Sequence, residues 1–456
     1  MHNTFTKSSN LSILRHVFAS GLAAVLALLL TACQPTPESE AVIQTGDFLE
    51  NLQEVSFAPY EAPQKVTYET ETAELALRFD AEVIAPEANA YSIVQLERMQ
   101  YTQEDYRRIM DFFCPSAEWF DMPERTKAEI IANYWEIQNN TRISEEQKAQ
   151  FDYLLEDAKN APDTVAFVPF DLAAHLEDEY GFTAQTHHAG EDPSFFSITP
   201  LSYTWSYARS QNGTIYQESF LDPLLEEDGY KMEDFKRTPQ ISREEAVAIA
   251  KDAIRILGFD AAIQLYSAEK GIAYRNQWPQ AYGWQCIFTR QYGGVQAPDP
   301  FQGAWNTWKN SPPPSYAAPW PQENIVVFVD EKGLAAFSAL GVSREKEVLY
   351  ENVALLPFDT LLERIEKQLK YQHAFVQEGI ADKACDITSI KLVGAVIAQK
   401  DEPDLGLFIP SWRVEYKLSF IERGAEVILD NNATYFNAID GSYIEPRAMA
   451  EMLGYQ

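Results

Sequence analysis

Between Trp412 and Phe420, apolar and polar side chains alternate without a break. Trp412, Val414, Tyr416, Leu418 and Phe420 fall on one side, and Arg413, Glu415, Lys417 and Ser419 on the other. Successive side chains of a strand point to opposite faces, so this stretch predicts a strand with one face buried and one in water. The segment "KVTYETETAELALRFDAEVIAP", rich in Val, Thr, Tyr and Phe, predicts strands within residues 55–100. A helical stretch follows. Thr102 with Asp105, Thr126 with Glu129 and Ser144 with Gln147 each have the spacing of a capping box, and the helices end near "NAPD" at 160–163.

Residues 164–235 return to a strand pattern. "TWSYARSQNGTIYQESF" is two aromatic-rich runs joined at Asn212-Gly213, which predicts a hairpin because both residues tolerate positive φ. From Gln240 the pattern repeats. Ser242 and Glu245 cap a helix whose Val247, Ala250, Ile254 and Leu257 share a face, with Gly258 placed to end it. The strands "GWQCIFTRQY" and "NIVVFVDEKGLAAFSAL" follow, the latter turning at Glu331-Lys332-Gly333. In the last hundred or so residues Thr360 and Glu363 cap "FDTLLERIEKQL", and "SIKLVGAVIAQ", "WRVEYKLSF" and "ATYFNAIDGSYIEP" then supply strands.

The two halves can be registered. Phe328 precedes Gly333 by five residues, as Phe436 precedes Gly441, and a Trp-led strand (Trp284, Trp412) comes before each. The Trp-to-Phe spacing is 44 in the first and 24 in the second. The difference matches "APDPFQGAWNTWKNSPPPSYAAPWP", which reads as an inserted loop over 297–321. A second echo sets "VAFVPFD" (165–171) against "VALLPFD" (353–359).

A capped helix followed by strands and a closing "F-N-A-x-D-G-x-x-I" turn resembles the PepSY-type module. "SWRVEYKLSF…YFNAIDGSYIEP" is also similar to the C-terminal parts of membrane-associated regulators of a Gram-positive cell-wall sensor kinase. The chain as a whole resembles an uncharacterised group of clostridial-type lipoproteins. These resemblances imply an α+β fold of tandem modules, each one helix packed on an antiparallel sheet. They bring no catalytic residues, and imply a non-enzymatic role in engaging peptides or envelope proteins. The kinase regulators are held by a spanning helix, a point on which this chain departs from them. The expected division is a signal peptide (1–32), a tether (33–54), a strand-then-helix region (55–163), a hairpin-rich module (164–238) and two PepSY-like modules (239–346 and 347–456).

The N-terminus has its own logic. Lys7 and Arg15 precede a 14-residue apolar run, Val17–Leu30, and no acidic residue occurs before Glu38. A bilayer-spanning helix needs about 20 apolar residues, so this run has the length of a signal-peptide core. It ends in Leu30-Thr31-Ala32-Cys33, which resembles the lipobox of bacterial lipoproteins. The resemblance implies that Cys33 carries the lipid and becomes the first residue of the mature chain. The polar, Pro-containing "QPTPESEAVIQTGD" then reads as a tether. The expected location is the extracytoplasmic face of the cell membrane, the membrane being engaged through the N-terminal lipid.

Charge narrows the partners. Losing Lys7 and Arg15 with the leader takes the formal charge from −32 to −34, which disfavours nucleic acid, because phosphate binding needs Lys and Arg. Cys114, Cys286 and Cys385 are scattered and make no framework. The common nucleophile, phosphate-loop and zinc-protease motifs are absent from the sequence. His175 and Glu179, at i and i+4, could combine with His187 or His188 around zinc. That spacing fits no established zinc pattern, so no metal or cofactor is expected. The binding residues nominated are Trp305, Trp308, Tyr316 and Trp320, rings on a stiff Pro-rich backbone suited to stacking on peptides or sugars. Capture of glycans or peptides for uptake, or hydrolysis by an unrecognised site, are the competing expectations.

Overall fold

The computed structural model describes residue 49 and residues 52–176, 181–187, 193–199, 204–209, 215–217, 230–298, 323–374, 379–399 and 402–444. The chain is mostly β, built on two large sheets. The first has seven strands: β1 (Lys65–Glu71), β2 (Ala76–Ile84), β3 (Ile93–Arg98), β14 (Ser343–Tyr350), β15 (Ile380–Gln399), β16 (Glu402–Glu422) and β17 (Ala425–Asn437). Its order is β1-β2-β15-β16-β3-β14, with β17 also on β16. The second has ten: β4 (Trp119–Asp121), β5 (Phe182–Thr186), β6 (Ser194–Thr199), β7 (Thr204–Arg209), β8 (Ile215–Gln217), β9 (Ile263–Arg275), β10 (Trp278–Tyr292), β11 (Val295–Gln296), β12 (Asn324–Asp330) and β13 (Gly333–Leu340). Its order is β4-β5-β6-β7-β13-β12-β10-β9-β8, with β11 on β10.

Helices lie against these sheets where the sequence pattern places them. Helix α1 (Gln103–Phe113), α2 (Lys127–Gln138) and α3 (Glu145–Ala149) each open with a complete capping box, at Thr102, Thr126 and Ser144. Helices α4 (Tyr153–Asn160) and α5 (Leu172–His175) follow. Helix α6 (Arg243–Leu257) is capped by Ser242 and closed by Gly258 at φ +80°, and packs Ala246, Ala250 and Ile254 with Cys286, Phe288, Val327 and Phe337 of the ten-stranded sheet. Helix α7 (Phe358–His373) packs Leu361, Ile365 and Leu369 with Phe79, Ile387, Trp412 and Phe436 of the seven-stranded sheet. The five alternating apolar residues from Trp412 to Phe420 are all buried.

Three expectations need correcting. The α+β fold of tandem PepSY-like modules is overturned, because neither sheet is built from one contiguous helix–strand module. Strands β1–β3 join β14–β17 in the first sheet, and β4–β8 join β9–β13 in the second. The physical reason is that strands left without neighbours expose rows of backbone N–H and C=O groups, and distant segments satisfy them. Asn212-Gly213 lies outside the described residues, but the two strands expected to pair across it do not: β7 pairs with β6 and β13, whereas β8 pairs with β9. Trp205 and Tyr207 of β7 are buried with Phe113 and Phe337, which fixes β7 far from β8 along the sheet. Finally, the N-cap of α7 is Pro357, three residues ahead of the expected Thr360, and the helix starts at Phe358; the proline ring fixes φ at this entry position, and ψ of 140° keeps Pro357 itself outside the helix.

One buried arginine fastens the two sheets together. Arg290 on β10 is fully buried and uses both sides of its fork. Nε and Nη2 donate to the two oxygens of Glu323, at 2.6 and 2.9 Å. Nη1 donates to Asp260 at 3.1 Å and to the Tyr292 hydroxyl at 3.0 Å, and Nη2 also reaches the Ser343 carbonyl at 2.7 Å. All five N–H groups are thereby used. Ser343 and Glu345 belong to β14 of the other sheet, and their amides donate to Glu323 and Asp260. Burial works against the Arg290 charge, but Glu323 and then Asp260 outweigh it and hold its pKa above the ordinary value. Burial likewise opposes the Asp260 charge, yet the amides of Ala262 and Glu345 and the Arg290 guanidinium hold it below the usual carboxylate range.

A second contact lies alongside. The β10–β11 turn, Gly293-Gly294, has φ of +57° and +90° and seats on residues 87–90, with Asn89 donating to the Gly293 carbonyl at 2.7 Å. A Cβ at Gly294 would sit 2.7 Å from the Glu87 carbonyl oxygen, so both conformation and space require glycine. Tyr292 and Ala297 then pack with Val94, Leu96, Val396 and Phe408.

Replacing Arg290 by Met leaves the buried Glu323 and the half-buried Asp260 without their cation. The expected loss is about 3–5 kcal/mol in urea unfolding. Arg290→Lys recovers little of it, because an ammonium cannot span both carboxylates; a variant as stable as the native chain would remove Arg290 from its place as the fastener.

Candidate binding cleft

An open cleft forms where the first described segment meets the start of α7. Residues 52–57 run beside residues 350–353: Glu54 bridges Val353, Val55 donates to the Asn352 carbonyl at 3.2 Å, and the Asn352 side chain donates back to Val55 at 2.9 Å. Asn352 also accepts from the Tyr91 amide at 2.8 Å, so this buried side chain is satisfied on both ends. The chain then places Tyr60. Its amide donates to the Tyr91 hydroxyl at 3.0 Å, its own hydroxyl donates to the Leu356 carbonyl at 2.7 Å, and its ring lies 5.3 Å from that of Trp412.

The cleft encloses about 560 Å³ and is lined by Tyr60, Glu61, Ala62, Pro63, Pro357, Phe358 and Asp359. Phe358 forms its floor, buried and edge-on to Trp412 at 5.7 Å. Glu61 and Asp359 are exposed at its rim. Burial first, then Tyr91 and Asp359, push the Tyr60 hydroxyl above its usual range, so it stays a neutral donor. Helix α7 has no side-chain cap, and Asp359 in its first turn supplies the negative charge that a helix N-terminus favours.

The residues nominated from sequence fall elsewhere. Cys33, Trp305, Trp308, Tyr316 and Trp320, with Glu179 and His188, lie outside the described residues. Both stems of the 297–321 segment are fixed at Arg290: its carbonyl accepts from the Ala297 amide at 2.8 Å, and its guanidinium holds Glu323. His175 meets Asp121 at 2.9 Å and stacks on Phe170, while His187 stacks on Phe167 at 3.8 Å. Among the described residues, no three His, Cys, Asp or Glu side chains converge as metal ligands. Cys114, Cys286 and Cys385 are free thiols; burial pushes Cys286 up to about 12 and raises Cys385 as well. The sequence reading missed Tyr60, Glu61 and Asp359. The available signal was the "PFD" shared by the two echoes, since each copy leads into a helix, α5 after Asp171 and α7 after Pro357.

No family model matches the chain, and no curated protein matches it. Among solved structures, an uncharacterised protein from Eubacterium rectale is similar over 84% of this chain and 94% of its own, at 11% identity and a TM-score of 0.38. That likeness is too distant to carry fold or function across. Among the described residues, no helix is long and apolar enough to cross a membrane.

His373, at the far end of α7, gives a pH test of this half of the molecule. It shares a hydrogen bond of 3.1 Å with the Tyr416 hydroxyl, and burial, helped by Lys383, pushes its pKa down to about 4. The unfolded chain takes up the proton near pH 6.5, so this contribution is complete above about 6.5 and is lost as the pH falls toward about 4. Relative to His373→Gln, the native chain should lose roughly 3 kcal/mol of unfolding free energy over that window. A difference that stays flat with pH would mean His373 is not held neutral.

Proposed function

We propose that this chain is a non-enzymatic lipoprotein, anchored through Cys33 on the extracytoplasmic face of the cell membrane, that binds a peptide or an envelope protein. The observation that carries this reading is the order Lys7, Arg15, apolar run, Leu30-Thr31-Ala32-Cys33, with a polar tether to residue 54. A diacylated cysteine holds a protein at a bilayer without a spanning segment, each buried CH2 contributing about 0.8 kcal/mol. Leu49 and Leu52 already pack on the core of the seven-stranded sheet, so the 16 residues from Cys33 to Phe48 reach at most roughly 55 Å if fully extended. The cleft lies directly after this tether, since residues 60–63 form one of its walls. The thiols of Cys286 and Cys385 are committed to the cores and the imidazole of His373 to the Tyr416 hydroxyl, which supports binding over catalysis.

Mass spectrometry of the protein from its native membranes tests the anchor. The mature chain should begin at a diacylglyceryl-modified Cys33, and Cys33→Ala should leave the membrane fraction or remain unprocessed. An intact N-terminal peptide with an unmodified Cys33 would overturn the anchored reading. Turnover of peptide or glycan by the purified metal-free protein would end the non-enzymatic one.

A further inference from the structure

We propose that the cleft between Tyr60 and Asp359 receives a cationic side chain, lysine first, presented by an extended peptide. This rests on the reading of the chain as a binding protein and names its ligand chemistry. The charges of the lining all have one sign: Glu61 and Asp359 are its ionisable carboxylates, and no Lys, Arg or His lines it. Neither carboxylate forms an ion pair or hydrogen bond among the described residues. Two unpaired carboxylates on one opening attract a cation, and the large negative charge of the whole chain adds to the field.

One effect opposes this. The N-terminus of α7 presents roughly half a positive charge to the cleft. Against that stand two full negative charges, so the sum still favours a cation and repels a phosphate or carboxylate. Pro357 also withdraws one amide donor from the site where an anion would sit. The remaining lining suits a long aliphatic stem. The ring of Tyr60 is fixed by its bonds to Leu356 and Tyr91 and its contact with Trp412, and Pro63 and Pro357 add stiff apolar walls. A lysine stem packs on such surfaces while its ammonium stays at the carboxylates, and an aromatic face adds a cation–π attraction. The cleft is open at one side, which fits a side chain projecting from a peptide rather than an engulfed small molecule.

The test uses the mature lipidated chain in mild detergent and the capped tripeptide Ala-Lys-Ala, with its Nε-acetylated form as the neutral twin, followed by calorimetry or NMR titration. The lysine peptide should bind, weaken with added salt, and bind at least about tenfold more tightly than the acetylated twin. Glu61→Gln with Asp359→Asn should weaken it by about tenfold or more. Glu61→Gln alone, outside any helix, should weaken it at least about threefold, which separates recognition from any change in α7. Glu146→Gln with Glu244→Gln removes the same charge from the first turns of α3 and α6 and should leave binding unchanged. Absence of lysine-peptide binding, equal binding of the acetylated twin, or equal loss in the remote pair would overturn the proposal. Sedimentation with phosphatidylethanolamine vesicles that is lost in Glu61→Gln/Asp359→Asn would also overturn it, in favour of a headgroup. If the lysine peptide fails while Cys33 is found acylated, the binding-protein reading stands and only its ligand falls.

Discussion

A guanidinium with no access to solvent holds this molecule together. Arg290 satisfies its five donors on Glu323, Asp260, Tyr292 and Ser343, groups drawn from β10, the end of α6, the approach to β12, and β14 of the opposite sheet. Burying one cation and two anions costs several kcal/mol per ion, and only complete pairing offsets it. The gain is specificity of arrangement. The two sheets meet in one way because any other leaves a charge unpaired in a dry interface, and the Gly293-Gly294 turn adds a steric check beside it. Weak apolar contact at this junction, the small group around Phe408 and Val94, would not by itself select one orientation.

What lies on either side of the fastener differs in character. The ten-stranded sheet is covered by α6 and α1 through a core rich in aromatic rings, with Trp205 stacked on Phe337 at 5.1 Å. The seven-stranded sheet is covered by α7, and it carries the cleft at that helix's leading end. The first described segment, residues 52–57, runs beside the end of β14 of the seven-stranded sheet, and the cleft wall at residues 60–63 follows shortly after it. The ten-stranded sheet is joined to the seven-stranded one through Arg290 and its partners.

Local order was legible in the residues, and long-range order was not. Capping boxes depend on side chains three positions apart, and all three formed as the spacing required. The alternation from Trp412 to Phe420 needs only the pleat of one strand. Pairing is another matter: β2 joins β15 in parallel across some three hundred residues, and nothing in "ALRFDAEVI" names its neighbour. The expected pairing of the runs on either side of Asn212-Gly213 was a local inference, and the burial of Trp205 and Tyr207 places the first of them between β6 and β13 instead. The repeat read from Gln240 does not hold: among the described residues six strands follow α6 and three follow α7, and each sheet borrows strands from the N-terminal half. The cleft was invisible for the same reason, because Tyr60 and Phe358 meet only once both ends of the chain have come together.

The parallel pairing of β2 with β15 has a consequence for how the protein is made. Strands β1 and β2 pair with each other early, but the open side of β2 waits for residues 384–391, and β3 waits for both β14 and β16. A ribosome releases these partners only roughly 250 to 300 residues after β2 and β3, so strand edges stay uncovered through that interval. Contacts this distant in sequence close slowly, and uncovered edges invite association with other chains. Biogenesis of this molecule therefore has a late commitment point, before which the nascent polypeptide depends on being kept apart from its neighbours.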